Sequence, residues 1–153
     1  MCEPDFLRRA DIAFRRDRPI FDFADERGAE GVATQAFVFL ARDGLGEQID
    51  LVAWEPSSGR LAAWAGEAVL LGANVLSSPG IGDDRLAIFE NPLSWLKADR
   101  RGVVVIDLDG AAAQLRDAAP LRAETLELGN RLNAAINAPV QIVVPRDALG
   151  VAA

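Results

Sequence analysis

Residues 85–146 read RLAIFENPLSWLKADRRGVVVIDLDGAAAQLRDAAPLRAETLELGNRLNAAINAPVQIVVPR, and the fold turns on how this stretch is read. Four short apolar runs, at 86–89, 103–106, 120–123 and 140–144, alternate with helical segments at 92–98, 111–117 and 125–137. Strand and helix signals in strict alternation are the grammar of a parallel sheet with helical crossovers. Residues 103–106 are uniformly β-branched, as a strand covered on both faces requires. In 125–137, Leu128, Leu132, Ala135 and Ile136 share one helical face, while Glu127, Asn130, Arg131 and Asn133 point elsewhere. The stretch therefore predicts a β-α-β-α-β-α-β, Rossmann-like half with a mainly parallel sheet.

Working outward, 4–16 reads as an N-terminal helix with proline tolerated in its first turn. At 100° per residue Phe6, Leu7, Ala10, Ala13 and Phe14 make an apolar stripe, and Arg8, Arg9, Arg15 and Arg16 fall opposite. Ile12 lies among those arginines. Residues 17–31 form a loop with a short extended piece. From 32 to 73 the pattern becomes strands punctuated by Gly44-Leu45-Gly46 and Glu55-Pro56-Ser57-Ser58-Gly59, an antiparallel meander in which Trp54 and Trp64 are expected to pack as a pair. Residues 74–84 connect it to the α/β half. The expectation is a single α/β domain over 1–153: N-terminal helix and loop (1–31), β-meander (32–73), α/β half (85–146).

Composition narrows the chemistry. The chain has no histidine, no tyrosine and one cysteine. That excludes a Ser-His-Asp triad, an imidazole base, a cysteine metal cluster and an internal disulfide. Catalysis would rest on carboxylates, Lys97, arginines, hydroxyls or a carboxylate-held magnesium. A net charge of −7 argues against wrapping nucleic acid over the whole surface, and leaves local arginine patches as the route to phosphate. No apolar run approaches a membrane span and the arginine-rich start is no signal region, so a cytoplasmic protein without membrane contact is expected.

Two acidic constellations stand out. Asp107-Leu108-Asp109-Gly110 follows the β-branched strand, and two carboxylates so spaced can converge on magnesium. The segment resembles the opening motif of haloacid-dehalogenase-type phosphatases, and Ile81-Gly82-Asp83-Asp84 their late acidic motif. The two stand in reverse chain order, however, with Ala111 in place of the threonine or valine after the glycine. A polar β-α turn with a helix-capping aspartate is the plainer reading.

Leu86-Ala87-Ile88-Phe89-Glu90-Asn91-Pro92 resembles the first-strand motif of the Toprim domain of topoisomerases and primases, with Glu90 at the position of its glutamate. Leu121 to Gly129 resembles the motif after that family's third strand. Glu124 matches the first acid and Gly129 the glycine, while Leu126 replaces the second acid and Asn91 a glycine. The resemblance implies a four-stranded α/β unit, a glutamate for acid/base work and magnesium held by acids beside nucleic-acid phosphates. Leucine offers no oxygen, so the site implied is degenerate.

The resulting expectation is a non-catalytic, nucleic-acid-associated accessory protein, with nucleic acid or a replication-type protein as partner. Arg8, Arg9, Arg15, Arg16, Arg100, Arg101 and Arg122 are the candidate phosphate contacts, and Glu90, Glu124, Asp107 and Asp109 the candidate magnesium ligands. The alternative is a protein-interaction module with no nucleic-acid role, offering an apolar patch around Leu93, Trp95 and Leu96 or an open edge of the meander. A third reading is a magnesium-dependent phosphoryl-transfer enzyme using Glu90, Asp107 and Asp109.

Overall fold

A computed structural model describes residues 7–26, 31–77, 85–118 and 120–138. Its first finding corrects the N-terminus. Leu7–Phe14 is a strand, β1, not a helix. It pairs antiparallel with Thr34–Arg42 (β3) on one side and with Phe21–Phe23 (β2) on the other. The period is two: Ile12 and Phe14 are buried while Arg9 and Asp11 are exposed. Ile12 is the residue that betrays the wrong period, since a helix places it on the charged face and the strand buries it completely.

Gln48–Glu55 (β4) and Arg60–Ala63 (β5) complete an antiparallel sheet of order β2-β1-β3-β4-β5. The sheet curls until its margins meet: Ile20 bridges to Ala63, whose N–H donates to the Pro19 carbonyl at 2.8 Å. Ile12, Phe14, Phe21, Ala36, Val38, Ala53 and Ala62 fill its concave face. Trp54 and Trp64 do not form a pair. Trp54 lies opposite Leu61 in the ladder, and Trp64, three positions further on, leaves the other face. Trp54 packs against Phe37 and Trp64 against Phe23, the rings tilted and each pair 6.2 Å apart between centroids.

The second correction concerns the α/β half. A four-stranded mixed sheet of order β6-β8-β7-β9 replaces the predicted Rossmann-like, mainly parallel layout. Leu86–Phe89 (β7), Val103–Val105 (β8) and Leu121–Ala123 (β9) run parallel, while Leu70–Leu71 (β6), read as the end of the meander, crosses over and pairs antiparallel with β8. The strand expected at 140–144 lies outside the described residues. Helices Pro92–Lys97 (α1), Leu108–Asp117 (α2) and Leu126–Ile136 (α3) follow β7, β8 and β9.

Alternation again sorts the contacts. Leu70, Ile88 and Val103 face α2 and α3, meeting Ala111, Leu115, Leu128 and Leu132. Leu71, Phe89, Val104 and Ile106 face the curled sheet and α1, meeting Phe39, Trp54, Leu61 and Trp95. The small sheet is thus a shared middle layer.

Asp50 holds the crossover. It is the buried charged residue of the core, 5% exposed. Its Oδ1 accepts the N–H groups of Leu51 (2.7 Å) and Ala65 (2.9 Å), and its Oδ2 those of Glu67 (2.8 Å) and Ala68 (3.1 Å). Four charge-assisted bonds compensate for burying the carboxylate and shape the turn that leads β5 into β6. At the other end, the Trp95 indole N–H donates to the Gly102 carbonyl at 2.9 Å. A Cβ on Gly102 would stand 2.4 Å from the Ala87 carbonyl oxygen, so only glycine lets these strands close.

Two stability outcomes are expected in urea denaturation. Asp50→Ala, which strands buried amides, lowers unfolding free energy by about 3 kcal/mol or more. Gly102→Ala costs about 2–4 kcal/mol, whereas Gly59→Ala, at a positive φ with open space around it, costs only about 1.

Candidate functional site

Because β7 and β9 are hydrogen-bonded neighbours running parallel, the residues just past their C-terminal ends fall side by side. Those residues are Glu90 and Glu124. The Glu124 N–H continues the ladder to the Ile88 carbonyl at 2.9 Å. Its carboxylate turns back and accepts the Glu90 N–H at 2.8 Å. Thr125 is the N-cap of α3: its hydroxyl oxygen accepts the Leu128 N–H at 3.2 Å and its O–H donates to Glu90 Oε1 at 2.5 Å. Arg131 brings a guanidinium nitrogen to 3.9 Å from the same oxygen. The site is therefore two carboxylates, a hydroxyl and one cation across a parallel strand pair, with the positive end of α3 beneath them.

Asp107 and Asp109 stand at the same edge of the sheet, beyond β8. Asp107 occupies the N-cap position of α2, yet its side chain makes no capping bond. Gly110 leaves room for it, since a Cβ there would lie 3.0 Å from Asp107 Oδ2 and 2.7 Å from Val69 Cγ1. Asp109 is exposed in the first turn of α2.

The residues present do not fit the magnesium site that the resemblance implies. Among the described residues no three acids gather closely enough to hold a metal ion. Leu126, where the resemblance would require the second acid, is 82% exposed. The two acids that do meet are already engaged by an amide, a hydroxyl and a guanidinium.

The structure scatters the predicted arginines. On a strand, Arg8 and Arg9 leave opposite faces, and Arg15 and Arg16 lie about 20 Å further along, so no basic face forms. Arg15 is paired with Asp22 at 3.0 Å. Arg100 and Arg101 sit in the α1–β8 turn, at the opposite end of the strands from Glu90. There Asp99 and Arg100 both adopt left-handed backbone, φ 55° and 58°, and Arg101 pairs with Asp99. Arg122 is exposed within β9. Sequence reasoning missed Arg131, which it placed on the polar side of α3; only the pairing of β7 with β9 brings Glu90 beside it. Of the expected apolar patch, Trp95 is buried and Leu96 half-buried, while Leu93 is 47% exposed.

No family model matches this chain, and neither a curated protein nor a solved structure does. Among the described residues no helix is long and apolar enough to cross a membrane.

Thr125 ties the pair to the helix, which sets a local test. Thr125→Ala is expected to lower stability by about 1 kcal/mol, and Thr125→Ser, which keeps both hydrogen bonds, by less than half of that. Equal losses in thermal or urea unfolding would show that the methyl group, not the hydroxyl, matters.

Proposed function

We propose that this chain is a non-catalytic, nucleic-acid-associated accessory protein that keeps a degenerate Toprim-like acid pair. The observation that carries the reading is the hydrogen bond from the Glu90 N–H to the Glu124 carboxylate. The resemblance requires those two acids to meet, although 34 positions separate them in sequence. From β7 the chain crosses to β8 on one side and later returns to β9 on the other. Such a reversal between neighbouring parallel strands opens a crevice at their C-terminal ends, where α/β sheets bind ligands. The non-catalytic part rests on the engagement of both carboxylates and on Leu126.

Two carboxylates repel a phosphate backbone, so the reading predicts weak association that depends on the cation beside them. Labelled single-stranded and primed DNA are expected to bind the full chain at low salt, losing about tenfold in affinity or more between about 50 and 200 mM. Arg131→Glu weakens that binding several-fold. No binding at low salt, or none of this salt dependence, overturns the nucleic-acid part. A calorimetric signal with millimolar magnesium that disappears in Glu90→Gln overturns the non-catalytic part.

One observation favours the second reading, a protein-interaction module. Leu126 and Leu93, at the starts of α3 and α1, are exposed on the same sheet edge as the acid pair.

A further inference from the structure

We infer that the groove beside Phe23 and Trp64 binds a neutral saccharide, a pyranose ring lying against the aromatic pair while its hydroxyls meet the planar polar side chains of the groove. This site lies on the curled sheet and does not depend on the acid pair.

Trp64 is exposed and yet fixed. It is 44% exposed, against 9% for Trp54 and 3% for Trp95. Its indole N–H donates to Glu26 Oε1 at 3.0 Å. The other oxygen of that carboxylate accepts the Phe23 N–H at 3.2 Å. The Phe23 ring lies 6.2 Å from the indole at a tilt of 55°, and is itself met edge-on by the buried ring of Phe21 at 5.3 Å. An indole held at its N–H and at its side has little rotamer freedom left to lose when a ligand packs on it.

Phe23 is also one wall of a groove of about 660 Å³, within the size range of small-molecule sites. Its polar walls are Arg8, Arg9, Asp11, Asp25 and Gln35, all exposed. The Arg9 guanidinium bonds the Gln35 amide oxygen, so both planar groups are held in place with further N–H donors to offer. Asp11 and Asp25 offer acceptors only.

The balance of these charges decides the ligand. A phosphate or carboxylate would meet Asp11, Asp25 and the nearby Glu26, and an ammonium would meet Arg8 and Arg9. A purely apolar molecule would strip water from both arginines and both aspartates without replacing its hydrogen bonds. A sugar ring has none of these faults. It carries no charge, and each of its hydroxyls both donates and accepts. A β-glucose ring, its hydroxyls equatorial, also presents a face of C–H groups that packs on an aromatic ring.

The test titrates the full chain, labelled with nitrogen-15, with cellotetraose. The Trp64 indole N–H signal is expected to shift with a dissociation constant of about 1 mM or below. The signals of Trp54, which is buried, and of Trp95, which is bonded to the Gly102 carbonyl, stay in place. Trp64→Ala weakens binding about tenfold or more, and Trp64→Phe, which keeps an aromatic face, only about threefold. Asp25→Ala weakens it about fivefold and leaves urea unfolding unchanged. The 6-carboxyl and 6-amino counterparts of the same oligomer each bind about fivefold more weakly than cellotetraose. The inference is overturned if neither cellotetraose nor maltotetraose moves the Trp64 signal at about 10 mM. It also fails if a charged counterpart binds as well as the neutral oligomer, which leaves only surface charge. Single-stranded DNA that displaces cellotetraose at a lower concentration assigns the groove to nucleic acid and overturns it too.

Discussion

The two sheets hold their relation through one buried carboxylate. Asp50 sits on β4 and gathers the amides of Ala65, Glu67 and Ala68 around itself. This turns the chain as it leaves the curled sheet and delivers Val69 to Leu71 beside β8. The Val69 carbonyl then accepts the N–H groups of Ile106 and Asp107, and Leu70 and Leu71 pair with Val105 and Val104. Without that turn the small sheet loses its antiparallel member and the curled sheet loses its cover. A charge buried at this position is tolerable only because so many donors converge on it, and their convergence is what defines the path.

The middle layer explains why the functional surfaces lie where they do. With helices on one face of the small sheet and a second sheet on the other, both faces are committed to packing. Chemistry is left to the edges and strand ends. The C-terminal ends of β7, β8 and β9 collect Glu90, Asp107, Asp109 and Glu124, two of them at the N-cap position or in the first turn of α2 and two directly before the N-cap residues of α1 and α3. Their first role is local, as acids favoured by the helix dipole. What distinguishes Glu90 and Glu124 is that they bond across two strands, joined by Thr125 and Arg131.

Individual signals along the chain varied in how far they could be read. The β-branched run at β8 and the spaced leucines of α3 identify their own conformation, because each is decided by residues within a turn or two. The N-terminal segment misleads for a definable reason. Leu7-Arg8-Arg9-Ala10-Asp11-Ile12-Ala13-Phe14 contains alanines that suit either period, and the paired arginines imitate a helix's charged face. Its strand character depends on β3, which begins twenty residues after β1 ends. The dipeptide Leu70-Leu71 carries no trace of leaving the meander, since its partner is Val104-Val105. Asp50 looks like any polar residue in an alternating strand, and the amides that make it central lie fifteen to eighteen positions away.

Sequence alone settled what depends on residue type and near neighbours. It excluded imidazole chemistry, an internal disulfide and a cysteine metal cluster, and singled out Glu90 and Glu124 as acids at strand ends. Tertiary structure decided what depends on remote hydrogen bonds. It made the N-terminus a strand, sent β6 to the second sheet, scattered the arginines, and brought Arg131 rather than Arg100 or Arg101 to Glu90. The division follows from the forces themselves: a helix satisfies its backbone within four residues, whereas a strand must find its partner elsewhere in the chain.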